Sequence, residues 1–216
     1  MKVFMTGGTG VLGRRLIPLL RDAGHEVSAP RHADLDLENP TALSEALEGF
    51  EAAYHLATRI ATGARAGDPA LWAENNRLRG IVTDLIVDAA IDRGVQTLIY
   101  PSITFLYPAS GPATEDTPWH TDDPTRQSSE IAEGAVQRFD GDGRRGVIVR
   151  FGLFWGPDAA TTTPDDRFGA TIHLDDAAAA MVAGLVLPSG VYNATSDSQR
   201  ISNEKLKRAS GWQPRY

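Results

Sequence analysis

Val3-Phe4-Met5-Thr6-Gly7-Gly8-Thr9-Gly10-Val11-Leu12-Gly13 joins an apolar run to a glycine-rich turn and then to the first turn of a helical pattern. In that arrangement the backbone N–H groups of the turn and the positive end of the helix dipole converge, and a phosphate is their natural ligand. The three spaced glycines divide the labour. Gly7 permits the tight turn, Gly10 lets the backbone approach a pyrophosphate, and Gly13 lets the helix pack closely. Thr9, Val11 and Leu12 complete the set of ligand-facing positions. The competing reading is a structural turn in a glycine-rich loop. The strand before it and the helix after it favour a dinucleotide site.

Working outward, apolar periodicity alternates between short strand-like runs and helical stretches, the pattern of a parallel sheet covered by helices on both faces. The expected strands are 2–6, 26–29, 52–56, 96–102, 146–151, 170–174 and 191–193. The expected helices are 11–23, one after Asn39-Pro40, a long one over 69–93, then 127–139, 175–187 and 202–210. Pro101 is expected at the end of its strand, because proline cannot donate to a central ladder. The segment 107–124, rich in Pro, Gly, Thr and Asp, reads as a loop. The fold class is thus α/β, a Rossmann-type doubly wound parallel sheet in a single domain over 1–216, with a reduced substrate-side region over roughly 153–216.

The bulk properties narrow the function classes. The chain has 216 residues, 42% of them hydrophobic and 23% charged, which suits one soluble domain with a substantial core. A formal net charge of −7 argues against a nucleic-acid or anionic-membrane surface and leaves a small molecule as the expected partner. The absence of cysteine excludes disulfides, thiolate nucleophiles and Cys-ligated metals. Met1-Lys2-Val3-Phe4 runs straight into the first strand, with no room for a signal peptide and no membrane-length apolar run. A cytoplasmic location is therefore expected. The histidines His25, His32, His55, His120 and His173 are scattered, so no catalytic metal is expected.

The Thr-Gly-x-x-Gly-x-x-Gly spacing resembles that of the extended short-chain dehydrogenase/reductase family, the NAD-dependent epimerase/dehydratase-like proteins, and the resemblance continues along nearly the whole chain. It implies a nicotinamide dinucleotide cofactor. Asp36-Leu37 resembles the acidic-apolar pair that meets the adenine, although an Asp before a helix is also a capping residue. Leu56, Ala57 and Thr58, after His55, resemble the segment beside the ribose and pyrophosphate. Phe151, Gly152 and Leu153 resemble the strand exit that flanks the nicotinamide. Ile172-His173-Leu174-Asp175-Asp176, Val191-Tyr192-Asn193 and Gly211-Trp212-Gln213-Pro214 match later landmarks, with His173 read as a structural hydrogen-bonding residue. The second strand ends at Ser28-Ala29-Pro30-Arg31 rather than at an acid, and Arg31 favours NADP(H) over NAD(H). Arg14 or Arg15 could assist; the alternative, preferred for Arg15, is a solvated surface arginine.

The resemblance breaks at the catalytic pair. Hydride-transfer members pair a tyrosine with a lysine four residues on, the ammonium drawing the phenol's pKa of about 10 toward working pH. The lysines here are Lys2, Lys205 and Lys207, so no Tyr-x-x-x-Lys motif exists. Local alignment puts Thr125 at the tyrosine position and Ser129 at the lysine position, and the family's strand-four hydroxyl falls on Ile103. Ser102 and Thr104 flank it and could orient a carbonyl. Tyr107 is the candidate proton donor, against the reading of a packed tyrosine with a satisfied hydroxyl. Glu130 or Glu133 could lie near the vacated helix face. The lid between strand five and the His-x-Asp-Asp landmark is cut to 158–169, which counts against a nucleotide sugar; Trp119, His120, Phe154 and Trp155 are candidate walls for a compact substrate.

Three readings follow: an oxidoreductase acting on a small carbonyl or hydroxyl substrate without the Tyr-Lys pair, a non-catalytic NADP(H)-sensing protein, and a nucleotide-sugar epimerase or dehydratase. Relatives commonly dimerise through the helices corresponding to 69–93 and 127–139, which makes a homodimer one reading of the Leu71, Leu78, Leu85 and Ala89 stripe; core packing explains that stripe equally well.

Overall fold

The computed structural model describes residues 1–60, 67–120, 124–165 and 169–216. Six parallel strands form the main sheet: β1 (Lys2–Thr6), β2 (Glu26–Ser28), β3 (Ala52–His55), β4 (Thr97–Ile103), β5 (Arg145–Phe151) and β8 (Gly190–Ala194), in the order β2-β1-β3-β4-β5-β8. Strands buried on both faces must be apolar at consecutive positions. Val3 and Met5 of β1 face one core with Ile99, Val147 and Val149, whereas Phe4 faces a second with Leu98, Tyr100 and Ile148. Helices α1 (Val11–Asp22) and α6 (Leu174–Ala183) pack together over the first core; α2 (Pro40–Ala46), α4 (Thr83–Asp92) and α5 (Pro124–Phe139) cover the second. A short α7 (Glu204–Ser210) closes against β8.

Chain progression reverses between β1 and β3, which lie side by side with Thr6 opposite His55. In an open α/β sheet the crevice outside the carboxyl ends at such a reversal is where ligands bind. The glycine turn leaves β1 at that point.

Three local expectations are corrected. The helix expected over 69–93 is split into α3 (Pro69–Arg77), a π-turn (Leu78–Val82) and α4. The strand expected over 170–174 is β7 (Thr171–His173), which pairs with β6 (Leu153–Trp155) in a separate two-stranded sheet rather than extending the main one. β4 runs two residues past Pro101, which is possible because the ladder with β3 stops at Tyr54 opposite Ile99 and no longer needs the missing N–H. Parts of two expected loops, residues 121–123 and 166–168, lie outside the described residues, and Asp166 is among them.

Candidate functional site

The glycine turn is built by backbone alone. Gly7 has φ +70°, and a Cβ there would lie 2.5 Å from the Leu56 carbonyl carbon; one on Gly13 would lie 2.6 Å from the Gly7 oxygen. Only glycine fits either place. Gly13 thus packs α1 against the turn itself. A Cβ on Gly10 would meet only the Gly7 oxygen, at 3.2 Å, which leaves its outer side open. Gly10 is also the N-cap of α1 and supplies no side-chain hydrogen bond to the helix end. The first N–H groups of α1, at Val11, Leu12 and Gly13, therefore remain available to an anion. Thr9 and Gly10 are exposed beside them. This cradle, free of Cβ atoms and side-chain caps, fits the pyrophosphate of a dinucleotide.

The exit of β3 is fixed next to it by a hydrogen-bonded chain. The Ala57 N–H lies 3.3 Å from Thr6 Oγ1, Thr6 Oγ1 lies 2.7 Å from His55 Nδ1, and His55 Nε2 lies 3.3 Å from the Leu78 carbonyl. A carbonyl can only accept, so Nε2 carries the proton and Nδ1 accepts from the threonine hydroxyl. Burial lowers the His55 pKa to about 4 and keeps the ring neutral. Leu56 is buried, Ala57 half-buried and Thr58 exposed, which leaves the last two within reach of a ligand.

The β2 end is looser. Arg31 is 73% exposed and its Nε pairs with Asp34 Oδ2 at 3.2 Å, an interaction that lowers the Asp34 pKa. Asp36 is exposed and its carboxylate accepts from the Glu38 N–H, while the cap of α2 is Asn39, which accepts from Thr41 and Ala42. The helix-capping alternative for Asp36 therefore falls to Asn39. Leu37 is half-buried. Arg14 is exposed, but Arg15 is not the solvated arginine expected: it pairs with Asp175 at 2.9 Å and Asp158 at 3.4 Å and donates to the Pro157 carbonyl.

Along the β4–β5 edge the candidate hydroxyls have separate fates. Thr104 donates to the Phe151 carbonyl at 3.1 Å, and its N–H bonds to the same oxygen. Phe151 is buried, Gly152 bonds to the Ala194 carbonyl and Leu153 to that of Ala170, so this exit is pinned on both sides. Ser102 is 5% exposed, and its Oγ has no hydrogen-bond partner. Tyr107 is buried; its hydroxyl donates to Asn193 Oδ1 at 2.9 Å and accepts from Arg150 Nη1 at 2.6 Å. Burial pushes the phenol's pKa up, against the pull of Arg150. That is the arrangement of the packed tyrosine.

Arg150 also forms a bidentate pair with Glu133, at 2.9 and 2.6 Å, and its guanidinium lies over the rings of Trp119 at 4.6 Å and Tyr107 at 5.4 Å. Burial disfavours its charge, but the bonded Glu133 carboxylate outweighs this and raises its pKa. Sequence reasoning did not assign Arg150, and its pairing with a helix residue 17 positions away leaves no local signature. Glu130 pairs with Arg126 on the α5 surface. His120 is exposed; Phe154 packs edge-on against Phe151, and Trp155 against His173. His173 accepts from the Asp175 N–H as the cap of α6, in keeping with a structural role. The candidate walls thus split between the segment before α5, which holds Trp119 and His120, and β6 of the small sheet, which holds Phe154 and Trp155.

At the two motif positions, Thr125 is half-buried and Ser129 is buried, its Oγ accepting from Arg79 Nη1 at 3.2 Å. Two open concavities, of about 400 and 470 Å³, flank α5: one includes Glu115, Trp119, Arg126 and Glu133, the other Asn76, Ile81 and Ile131. Neither reaches the glycine turn. Among the described residues, no cluster of three or more His, Asp or Glu could hold a metal, and no helix is long and apolar enough to cross a membrane.

Comparison with known proteins agrees with this geometry. The profile described as the NAD dependent epimerase/dehydratase family matches residues 3–184. The chain is similar, at 28% identity, to a 3-diazoavenalumate denitrifying reductase from a Streptomyces species, over 100% of this chain and 80% of that protein. Two other curated reductases match over 54% and 53% of their own length, so the chain spans about half of each. The fold is shared with the UDP-glucose 4-epimerase of Thermus thermophilus in complex with NAD, at TM-score 0.80 and 20% identity, covering 100% of this chain and 94% of that one. It is shared also with RMD from Pseudomonas aeruginosa in complex with NADPH, at TM-score 0.78 and 20% identity, covering 100% and 95%.

Proposed function

Because the chain belongs to the NAD dependent epimerase/dehydratase family, we propose that it is an NAD(P)(H)-dependent oxidoreductase that reduces a compact organic carbonyl, or oxidises the corresponding alcohol, without a Tyr-x-x-x-Lys pair. The observation that carries this reading is the uncapped, Cβ-free turn at Gly7, Gly10 and Gly13, set beside an ordered β3 exit. Two of the proteins to which the chain is similar are named reductases.

When bound, the nicotinamide supplies the hydride chemistry. The chain's own residues supply the rest. Backbone N–H groups at Val11, Leu12 and Gly13 hold the pyrophosphate, with Gly7 and Thr9 shaping the turn. Ala57 and Thr58 border the sugar. Asp36 accepts from the adenine amine, with Leu37 beneath the ring, and Arg31 exchanges Asp34 for a 2′-phosphate, which gives NADP(H) the advantage. Phe151, Gly152 and Leu153 border the nicotinamide, held there by Thr104. Ser102 Oγ, a buried hydroxyl with no protein partner, hydrogen-bonds the acceptor oxygen. Tyr107 holds Arg150 and Asn193 in place, and water provides the proton. The 216 residues act as one domain, and a homodimer forms over the α4–α5 face, where Ile81 and Ile131 are 58% and 50% exposed.

Stopped-flow NADPH oxidation with a panel of small aldehydes and ketones tests the activity. Turnover that persists in Tyr107→Phe supports this reading; tight NADPH binding with no turnover on any substrate counts against it. That second result would favour the cofactor-sensing protein, a reading that draws support from the fully bonded Tyr107 hydroxyl. Ligand-dependent binding of a partner protein would then be the property to measure. Stabilisation by a nucleotide sugar in a thermal-shift screen would instead revive an epimerase or dehydratase.

A further inference from the structure

Arg15 stands on α1 two residues after Gly13, the glycine that seats this helix on the turn. Its guanidinium makes three bonds to the substrate-side region: Nε donates to Asp175 Oδ1 at 2.9 Å, Nη1 to Asp158 Oδ2 at 3.4 Å and Nη2 to the Pro157 carbonyl at 2.5 Å. A planar fork with fixed donor directions meets three such acceptors at once, which a single ammonium does not. Asp175 belongs to the first turn of α6, and Pro157 and Asp158 to the segment 156–161 that follows β6.

That segment is folded back on itself. The Gly156 N–H donates to the Thr161 carbonyl at 3.0 Å, the Ala159 N–H to the Gly156 carbonyl at 3.1 Å, and Thr161 pairs with Trp155 in a parallel bridge. Gly156 has φ +115° and lies so close to His173 that a Cβ would meet its Nε2 at 2.5 Å. Asp158 has φ +69°, a left-handed backbone uncommon outside glycine, and its carboxylate is held by Arg15. Because the two carboxylates are 58% and 54% exposed, these ion pairs add little to global stability. Their effect is local: they fix where 156–161 sits. At the paired positions, Trp155 Nε1 and Thr161 Oγ1 are buried atoms with no hydrogen-bond partner, so the fixed segment keeps polar groups that the protein itself does not use.

We propose that Arg15 is a positioning residue for the substrate: it locks 156–161 to the helix that carries the glycine turn, which makes this part of the shortened lid a fixed wall rather than one that closes over a ligand. The wall begins three residues after Leu153, in the exit of β5. What it faces rests on the oxidoreductase reading above; the lock itself does not. A fixed wall selects by a preset size, which suits a compact carbonyl compound.

The test follows amide exchange at Gly156 and Ala159 in wild type, Arg15→Met and Asp158→Gly, with and without NADPH. Beside it, KM and kcat are measured for the aldehyde or ketone of the panel that turns over fastest. Arg15→Met keeps the packing of the stem and removes all three bonds. Asp158→Gly removes one carboxylate at a φ that glycine adopts freely. In wild type both amides should exchange about a hundredfold slower than in an open chain, equally with and without NADPH. Arg15→Met should speed both about tenfold and Asp158→Gly about threefold, with the amides of β4 unchanged. In Arg15→Met, KM should rise about tenfold while kcat and the NADPH dissociation constant stay within about twofold. Exchange in Arg15→Met equal to wild type, or protection that arises only with NADPH, overturns the proposal. Faster exchange with an unchanged KM makes Arg15 a staple of the loop alone and overturns it as well. If Arg15→Met does not fold, Asp158→Gly is judged by the same criteria. Exchange as expected with no turnover on any aldehyde or ketone instead strikes down the oxidoreductase reading, and the positioning role with it, while the lock stands.

Discussion

The turn at Thr6 to Gly13 and the edge formed by β4, α5 and β5 share one border of the sheet and hold themselves together in opposite ways. The turn uses almost no side-chain polar bonds: its shape comes from missing Cβ atoms, and its donors are left for a ligand. At the edge, Tyr107, Glu133, Arg150 and Asn193 are joined by hydrogen bonds inside the protein, Thr104 donates to the Phe151 carbonyl, and Ser102 is the hydroxyl left over. A region that keeps its donors unspent is built to bind. One that spends them is built to stay put. The contrast suits the proposal that the glycine turn binds a cofactor while Thr125 and Ser129 stand where the sequence resemblance expects the Tyr-Lys pair.

Substitutions in each region should respond accordingly. The largest effect is expected at Arg150→Met, which leaves the Glu133 carboxylate buried without its partner and should cost about 3–5 kcal/mol in urea unfolding. Replacing both, in Arg150→Met/Glu133→Leu, should recover most of it, and a cost below about 1 kcal/mol for the single variant would show the edge to be less rigid than its bonds suggest. His55 comes next. Its folded pKa of about 4 lies below the ordinary value of 6.5, so its contribution is fully present above pH 6.5 and is lost as pH falls toward 4. The loss should total about 3 kcal/mol. Unfolding free energies measured across this range should lose that slope in His55→Gln.

On the turn side, Gly7→Ala forces a side chain into φ +70° against the Leu56 backbone. It should lower NADPH affinity by about a hundredfold, near 2.7 kcal/mol, with no matching effect on the Arg150 network. Arg31→Ala should be the mildest: NADPH weakened about tenfold and NADH almost unchanged, both read by fluorescence titration. Equal losses for the two cofactors would remove Arg31 from 2′-phosphate recognition.

Much of this architecture can be read from sequence because it depends on neighbours in the chain. The glycine spacing, the Asn39-Pro40 helix start and the unbroken apolar strands each carry a local cause. The β6–β7 pair is not legible, since Leu153–Trp155 is half-buried and three residues long, too short for a period to register. The π-turn is hidden because apolar residues continue through it, and Arg79 reads as a surface charge until the fold turns it inward. The Arg150–Glu133 and Tyr107–Asn193 bonds join residues distant in sequence. Such pairings belong to tertiary packing, so the candidate proton donor could be named from sequence but its engagement could not.

The central claim is that an intact dinucleotide turn works beside a rebuilt catalytic edge, and an NADPH titration of wild type against Gly13→Val tests it most directly. The account predicts saturable binding in wild type with a dissociation constant on the order of micromolar, and its loss in Gly13→Val, whose side chain would enter space held by the Gly7 and Gly8 backbone. Absence of binding in wild type, or undiminished binding in Gly13→Val, would contradict it.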